Sequence, residues 1–173
     1  MGSQSHYRGV AKDNSTIIPP RDGSKTFMVK PKAMDIIWGA DSRYWRLPNS
    51  DDGPVELLQV SWLEVTGSLD LKKLEAKDYK LSFTVSMRPD AFGWKGSPVY
   101  FMAKVGEGKI IWKKADLSEL PVNTDRKIPA ELKFTVTTKD KDSTEKLRFG
   151  LYEIWRGRWK GGLVIRNVEI TPV

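Results

Sequence analysis

The sequence contains no cysteine, so no disulfide braces the chain and neither a thiolate nucleophile nor a cysteine-held zinc is available to it. Its one histidine, His6, stands in a polar N-terminal stretch. That removes a Ser-His-Asp triad and a histidine-based metal site from the folded part, and with them most common hydrolase chemistry. No apolar run approaches the roughly 18 residues of a membrane span, and the opening stretch MGSQSHYRGVAKDNS has no apolar core of the kind a signal peptide needs. These absences predict a cytoplasmic protein without cofactor, metal or membrane. A concentrated basic block is missing too. The formal net charge is +7, yet lysines and arginines alternate with acids, as in Lys139, Asp140, Lys141 and Asp142. That interleaving is the pattern of a solvated surface and argues against a nucleic-acid partner. A single-stranded nucleic-acid-binding β domain, using aromatics and dispersed cations, is the alternative reading.

What the chain does contain is alternation. In residues 79–88, Leu81, Phe83, Val85 and Met87 share one face while Lys80, Ser82, Thr84 and Ser86 share the other, the period of a half-buried strand. Leu132, Phe134 and Val136 repeat it, as do Leu147, Phe149 and Leu151. Runs at 34–38, 55–65, 99–105 and 163–170 complete a set of strands large enough for an all-β, antiparallel β-sandwich or jelly roll. Residues 69–74 suggest a helical turn, and 113–121 a long connection. Residues 1–26 show no sustained period and carry the Pro19-Pro20 pair, so they are expected to be a flexible leader before one domain at 27–173. At 173 residues the length suits one core.

Seven tryptophans are many, and several fall at turns. Trp38 ends a strand run, residues 39–43 read as a turn, and Tyr44 and Trp45 follow at once. A pyranose ring has an apolar C–H face and a rim of hydroxyls, so a sugar site needs a flat aromatic and nearby carboxylate, amide or guanidinium groups. Asp41, Arg43 and Arg46 could supply that rim. The structural alternative is that these rings fill the core. Position within a strand predicts Trp62 to be core, whereas Trp45 beside a polar turn is expected to be exposed, with Trp38 between the two. Glu153 has the parity of Leu147, Phe149 and Leu151 and puts a carboxylate into an inward-facing series. It must therefore face a pocket at the strand end or pair with a base such as Arg156, Arg158 or Lys160. Trp155 and Trp159, in the glycine-rich turn that follows, would form a second wall.

Three segments carry a further signal: MDIIWGADSRYW at 34–45, VELLQVSWLEVTGSLD at 55–70, and LYEI at 151–154 with WKGGLVIRNVEITP at 159–172. Together they resemble the phloem protein 2, or Nictaba-type, lectins, and look most similar to the small cucurbit phloem lectins. The resemblance implies a non-catalytic β-sandwich lectin of the cytoplasm or phloem sap, acting as a homodimer. It further implies binding of N-acetylglucosamine oligomers such as chitooligosaccharides, and of glycoproteins through high-mannose or N-glycan cores. The binding tryptophans and acid of that family fall here on Trp38, Trp45 and Glu153, and the tryptophan of the last glycine-rich turn on Trp159. Arg43, Tyr44 and Lys160 complete the expected site. An acidic position of some relatives falls on Lys146, with Glu145 adjacent, which leaves open whether Glu145 takes part.

Overall fold

The computed structural model describes residues 5–9, 17–18 and 25–173. Among the described residues thirteen strands run in chain order: β1 Ile17–Ile18, β2 Phe27–Val29, β3 Asp35–Ile36, β4 Trp45–Arg46, β5 Val55–Leu57, β6 Leu63–Asp70, β7 Asp78–Phe92, β8 Val99–Val105, β9 Ile111–Ala115, β10 Arg126–Ile128, β11 Lys133–Thr135, β12 Lys146–Glu153 and β13 Gly161–Pro172. The expected helical turn is a 3-10 turn at Leu71–Lys73, and a four-residue helix, Thr138–Lys141, precedes β12. Among the described residues no helix is long and apolar enough to cross a membrane.

The strands make two antiparallel sheets. One has the order β3-β6-β12-β8-β9; the other is built around β13, which pairs with β2, β5 and the long β7. Phe83 of the second sheet meets Phe101 and Phe149 of the first, with ring centroids 5.4 and 6.2 Å apart. The apolar faces are therefore packed against each other as a β-sandwich. The apolar faces behave as read, with Leu81, Phe83 and Val85, and Leu147, Phe149 and Leu151, all buried, but Ser82, Thr84 and Ser86, expected on a solvated face, are buried as well because β7 is a central strand of its sheet.

Three differences from the sequence reading bear on function. The run at 55–65 is two strands, because the chain leaves β5 after Leu57, makes an isolated bridge from Val60 to Lys160, and bends at Ser61 and Trp62. The connection at 113–121 begins inside β9, whose Trp112 faces outward. Much of the expected leader at 1–26 lies outside the described residues, but residues 5–9 within it are bonded to the domain. Tyr7 exchanges backbone hydrogen bonds with Ile36, its hydroxyl donates to the Lys32 carbonyl, and the Gly9 amide donates to Asp35.

Candidate functional site

Trp45 is the clearest correction. It is 2 % exposed, against the expectation of an open ring. The turn at 39–43 is followed at once by β4, where Trp45 opposes Leu57 and Arg46 opposes Glu56. Cross-strand parity sends Trp45 inward with Leu57 and Arg46 outward, where its guanidinium pairs with Glu56 at 2.9 Å. A sealed indole cannot shelve a sugar. Trp62 is the reverse correction: expected in the core, it is 44 % exposed, because the bend at Ser61 and Trp62 resets the parity so that Leu63 points inward. Its indole N–H donates to Glu64.

Trp38, Tyr44 and Trp159 come together. Trp38 meets Tyr44 edge-on at 5.8 Å, and Tyr44 lies 6.2 Å from Trp159. With Trp62 and the Val60-Ser61 backbone they line a shallow hollow of about 120 Å³. Trp38 sits at φ +65°, the left-handed region that costs a non-glycine residue roughly 1–2 kcal/mol. Surroundings over-determine it: the Trp38 amide donates to His6 Nδ1, the His6 ring packs edge-on at 5.3 Å, and a Cβ on the next residue, Gly39, would strike the Ile36 and Tyr7 side chains. Strain retained under an open ring is a feature of binding sites. Arg43 lies 5.0 Å above the Tyr44 ring and forks onto Asp41, whose carboxyl these hydrogen bonds hold below its ordinary pKa.

Glu153 and Lys160 form a buried ion pair at 3.3 Å, with the carboxylate 1 % exposed. Both alternatives for Glu153 therefore apply, since it pairs with a base and also lines a cleft. The Lys160 ammonium donates to the Ser61 carbonyl on the hollow's wall, and Glu153 accepts from the Trp155 amide. Burial pushes the Lys160 ammonium below its usual pKa, an effect opposed by the Glu153 carboxylate. The pair ties both ends of the loop at 154–160, which then throws its two indoles apart: Trp159 goes to the hollow, while Trp155 stands over Tyr100 at 4.8 Å. The expected single wall of Trp155 and Trp159 is thus two walls of two different depressions. Arg158 secures the loop by donating to the Lys95 carbonyl, and buried Trp94 by donating its indole N–H to the Gly161 carbonyl at 2.8 Å.

The second depression is a cleft of about 640 Å³ lined by Tyr100, Trp112, Glu153, Trp155 and Arg156. Tyr100 and Trp112 escaped the sequence reading, in which Arg156 figured only as a possible base for Glu153. The signal for Tyr100 was present: Val99, Phe101 and Ala103 are buried and Tyr100 alternates with them. Lys146 and Glu145 lie at the opposite end of β12 from Glu153, roughly 23 Å away at about 3.3 Å per residue. Lys146 is 4.0 Å from Asp70 there, so neither residue joins the aromatic hollow.

The model of one family, phloem protein 2, matches residues 24–172, which includes all three motif segments. The chain belongs to the phloem protein 2 family. Among its relatives is Protein PHLOEM PROTEIN 2-LIKE A9 of Arabidopsis thaliana, 37 % identical, with both chains covered in full. Protein PHLOEM PROTEIN 2-LIKE A1 of the same plant is 31 % identical over 86 % of this chain and 62 % of its own length. Of solved structures, the xylan-binding module CBM15 superposes with a TM-score of 0.47 at 18 % identity, covering 87 % of this chain and 98 % of the module. In this phloem protein 2 chain the tryptophan motif at 34–45 has a divided role: Trp38 is at the surface and Trp45 is under it.

Proposed function

We propose that the protein is a lectin that binds N-acetylglucosamine oligomers, with chitooligosaccharides and N-glycan cores as ligands, on the hollow formed by Trp38, Tyr44, Trp62 and Trp159. The observation that carries this reading is the cluster of open rings around one hollow, with the Lys160 ammonium bonded to the Ser61 carbonyl in its wall and the Trp38 backbone locked in a strained conformation. Indoles offer flat apolar faces to the C–H side of a pyranose, and Arg43, the Ser61 backbone and the indole N–H groups of Trp38 and Trp159 offer polar partners to its rim. Trp45, sealed in the core opposite Leu57, does not touch sugar. Family membership supports the same reading.

The reading is of binding without bond cleavage. Glycosidases use two carboxylates flanking the scissile bond, whereas Glu153 is the one carboxylate among the residues lining the two depressions and is neutralised by Lys160. A homodimer in the cytoplasm or phloem sap, which the resemblance implies, belongs to the same proposal, and sedimentation velocity tests the dimer. The binding test is calorimetric titration with chitotriose. Trp159→Ala should weaken binding about thirtyfold, the cost of losing an aromatic anchor worth roughly 2 kcal/mol, while Trp45→Phe should leave affinity within about threefold. Unchanged affinity in Trp159→Ala would remove the hollow from consideration.

A further inference from the structure

The outer face of the five-stranded sheet carries a cleft that the hollow at Trp38 does not use. Its rings are set by register. Tyr152 opposes Tyr100, and Met102 opposes Trp112, so three aromatics from β8, β9 and β12 emerge on one face. Each exposed indole is braced edge-on by a tyrosine: Trp155 by Tyr100 at 4.8 Å and 73°, and Trp112 by Tyr152 at 5.6 Å and 64°. Trp112 and Trp155 nonetheless remain 45 % and 57 % exposed. Fixed, open ring faces around a space of about 640 Å³ fall within the size range of small-ligand sites, about 300–1,000 Å³.

Charge restricts what could enter. Glu153 borders the cleft but is 1 % exposed and turned to Lys160 at 3.3 Å, so its charge is matched and its oxygens are closed to a ligand. The charge around the cleft is mostly positive, the Glu64 carboxylate opposite Tyr152 on the same face being outnumbered by three cations. Arg156 lines it, Lys114 opposes Tyr100 on the same face, and Arg148 lies farther along β12 beside Tyr152 in the adjoining trough. None of these three cations makes an ion pair among the described residues, unlike Arg43, Arg46 and Arg88. With Glu153 already matched by Lys160, a ligand meets net positive charge, which disfavours a cation in this aromatic surround and favours an anion.

We propose that this cleft binds an acidic oligosaccharide, one whose pyranose rings carry carboxylates as in a uronate chain. The ring C–H faces stack on Trp155 and Trp112, and Arg156 takes a ring carboxylate, the geometry its planar fork favours. The proposal shares with the lectin reading the premise that the protein binds sugars, but it uses different side chains and a different ligand.

The test is calorimetric titration of the full chain with trigalacturonic acid, its methyl ester and chitotriose, on wild type, Trp155→Ala, Arg156→Gln and Trp159→Ala. All three altered side chains are exposed, so these variants keep the core. The acid should bind at least tenfold more tightly than the uncharged ester and weaken with added salt. Trp155→Ala and Arg156→Gln should each lose tenfold or more for the acid, while Trp159→Ala changes nothing for it. Chitotriose should show the converse. Chitotriose binding without any binding of the acid would overturn the inference and leave the lectin reading standing. Acid binding that Trp155→Ala abolishes, with no chitotriose binding, would support the inference and overturn the lectin reading. Equal affinity for acid and ester, or an oligothymidylate that binds more tightly than the acid and is lost in Trp155→Ala, would also overturn it.

Discussion

Replacing Lys160 with methionine removes the ammonium from the buried ion pair but keeps most of the side-chain volume. Lys160 is fully buried and Glu153 is 1 % exposed, so water cannot take over the role of the lost charge. The carboxylate would keep a single marginal donor, the Trp155 amide at 3.3 Å, and the Ser61 carbonyl would lose its partner. Breaking a buried pair from one side costs about 3–5 kcal/mol. For a chain of this length each kcal/mol corresponds to roughly 2–4 °C in melting temperature, so a drop of about 6–20 °C is expected. The double variant Glu153→Gln/Lys160→Met leaves no charge behind and should recover most of that loss, because exchanging a whole buried pair for neutral groups is often close to neutral. Urea and thermal denaturation, followed by circular dichroism and tryptophan fluorescence, measure both. A Lys160→Met variant within about 1 kcal/mol of wild type would refute the reasoning, since Glu153 would then have to reach solvent and could not anchor the loop at 154–160.

Trp94→Phe strips the donor from the buried Gly161 carbonyl and should cost about 1–3 kcal/mol, read by chemical denaturation. Gly93→Ala places a Cβ 2.1 Å from the Trp159 carbonyl oxygen at a φ of +84°; it should destabilise the fold by more than the roughly 1–3 kcal/mol of backbone strain alone and weaken chitotriose binding together with stability. Burial and the nearby Glu64 carboxylate push the Tyr152 hydroxyl up to about 12. The unfolded chain would ionise this group near 10, so its contribution to stability is present below that pH and is lost as pH rises from about 10 to about 12. Tyr152→Phe should flatten that part of the alkaline stability profile, and an unchanged profile would refute the assignment.

The alternations at 79–88 and 147–151 determined the sandwich, because a period of two has one physical reading once one face is apolar. Glu153 was legible for the same reason: its parity set it inward, and an inward carboxylate requires a partner, though only the fold chose Lys160 over Arg156 and Arg158. The motif segments determined the family. Exposure of individual tryptophans was not legible, since indoles serve cores and surfaces equally well. Trp45 and Trp62 exchanged their expected places because parity depends on where a strand starts and breaks, and the two-residue β4 and the bend at Ser61 and Trp62 are set by pairing with β5 and the bridge to Lys160. Likewise, Tyr100, Trp112 and Trp155 lie far apart in the chain. Only antiparallel register, which sequence periodicity leaves free to slide by two residues, brought them to one cleft.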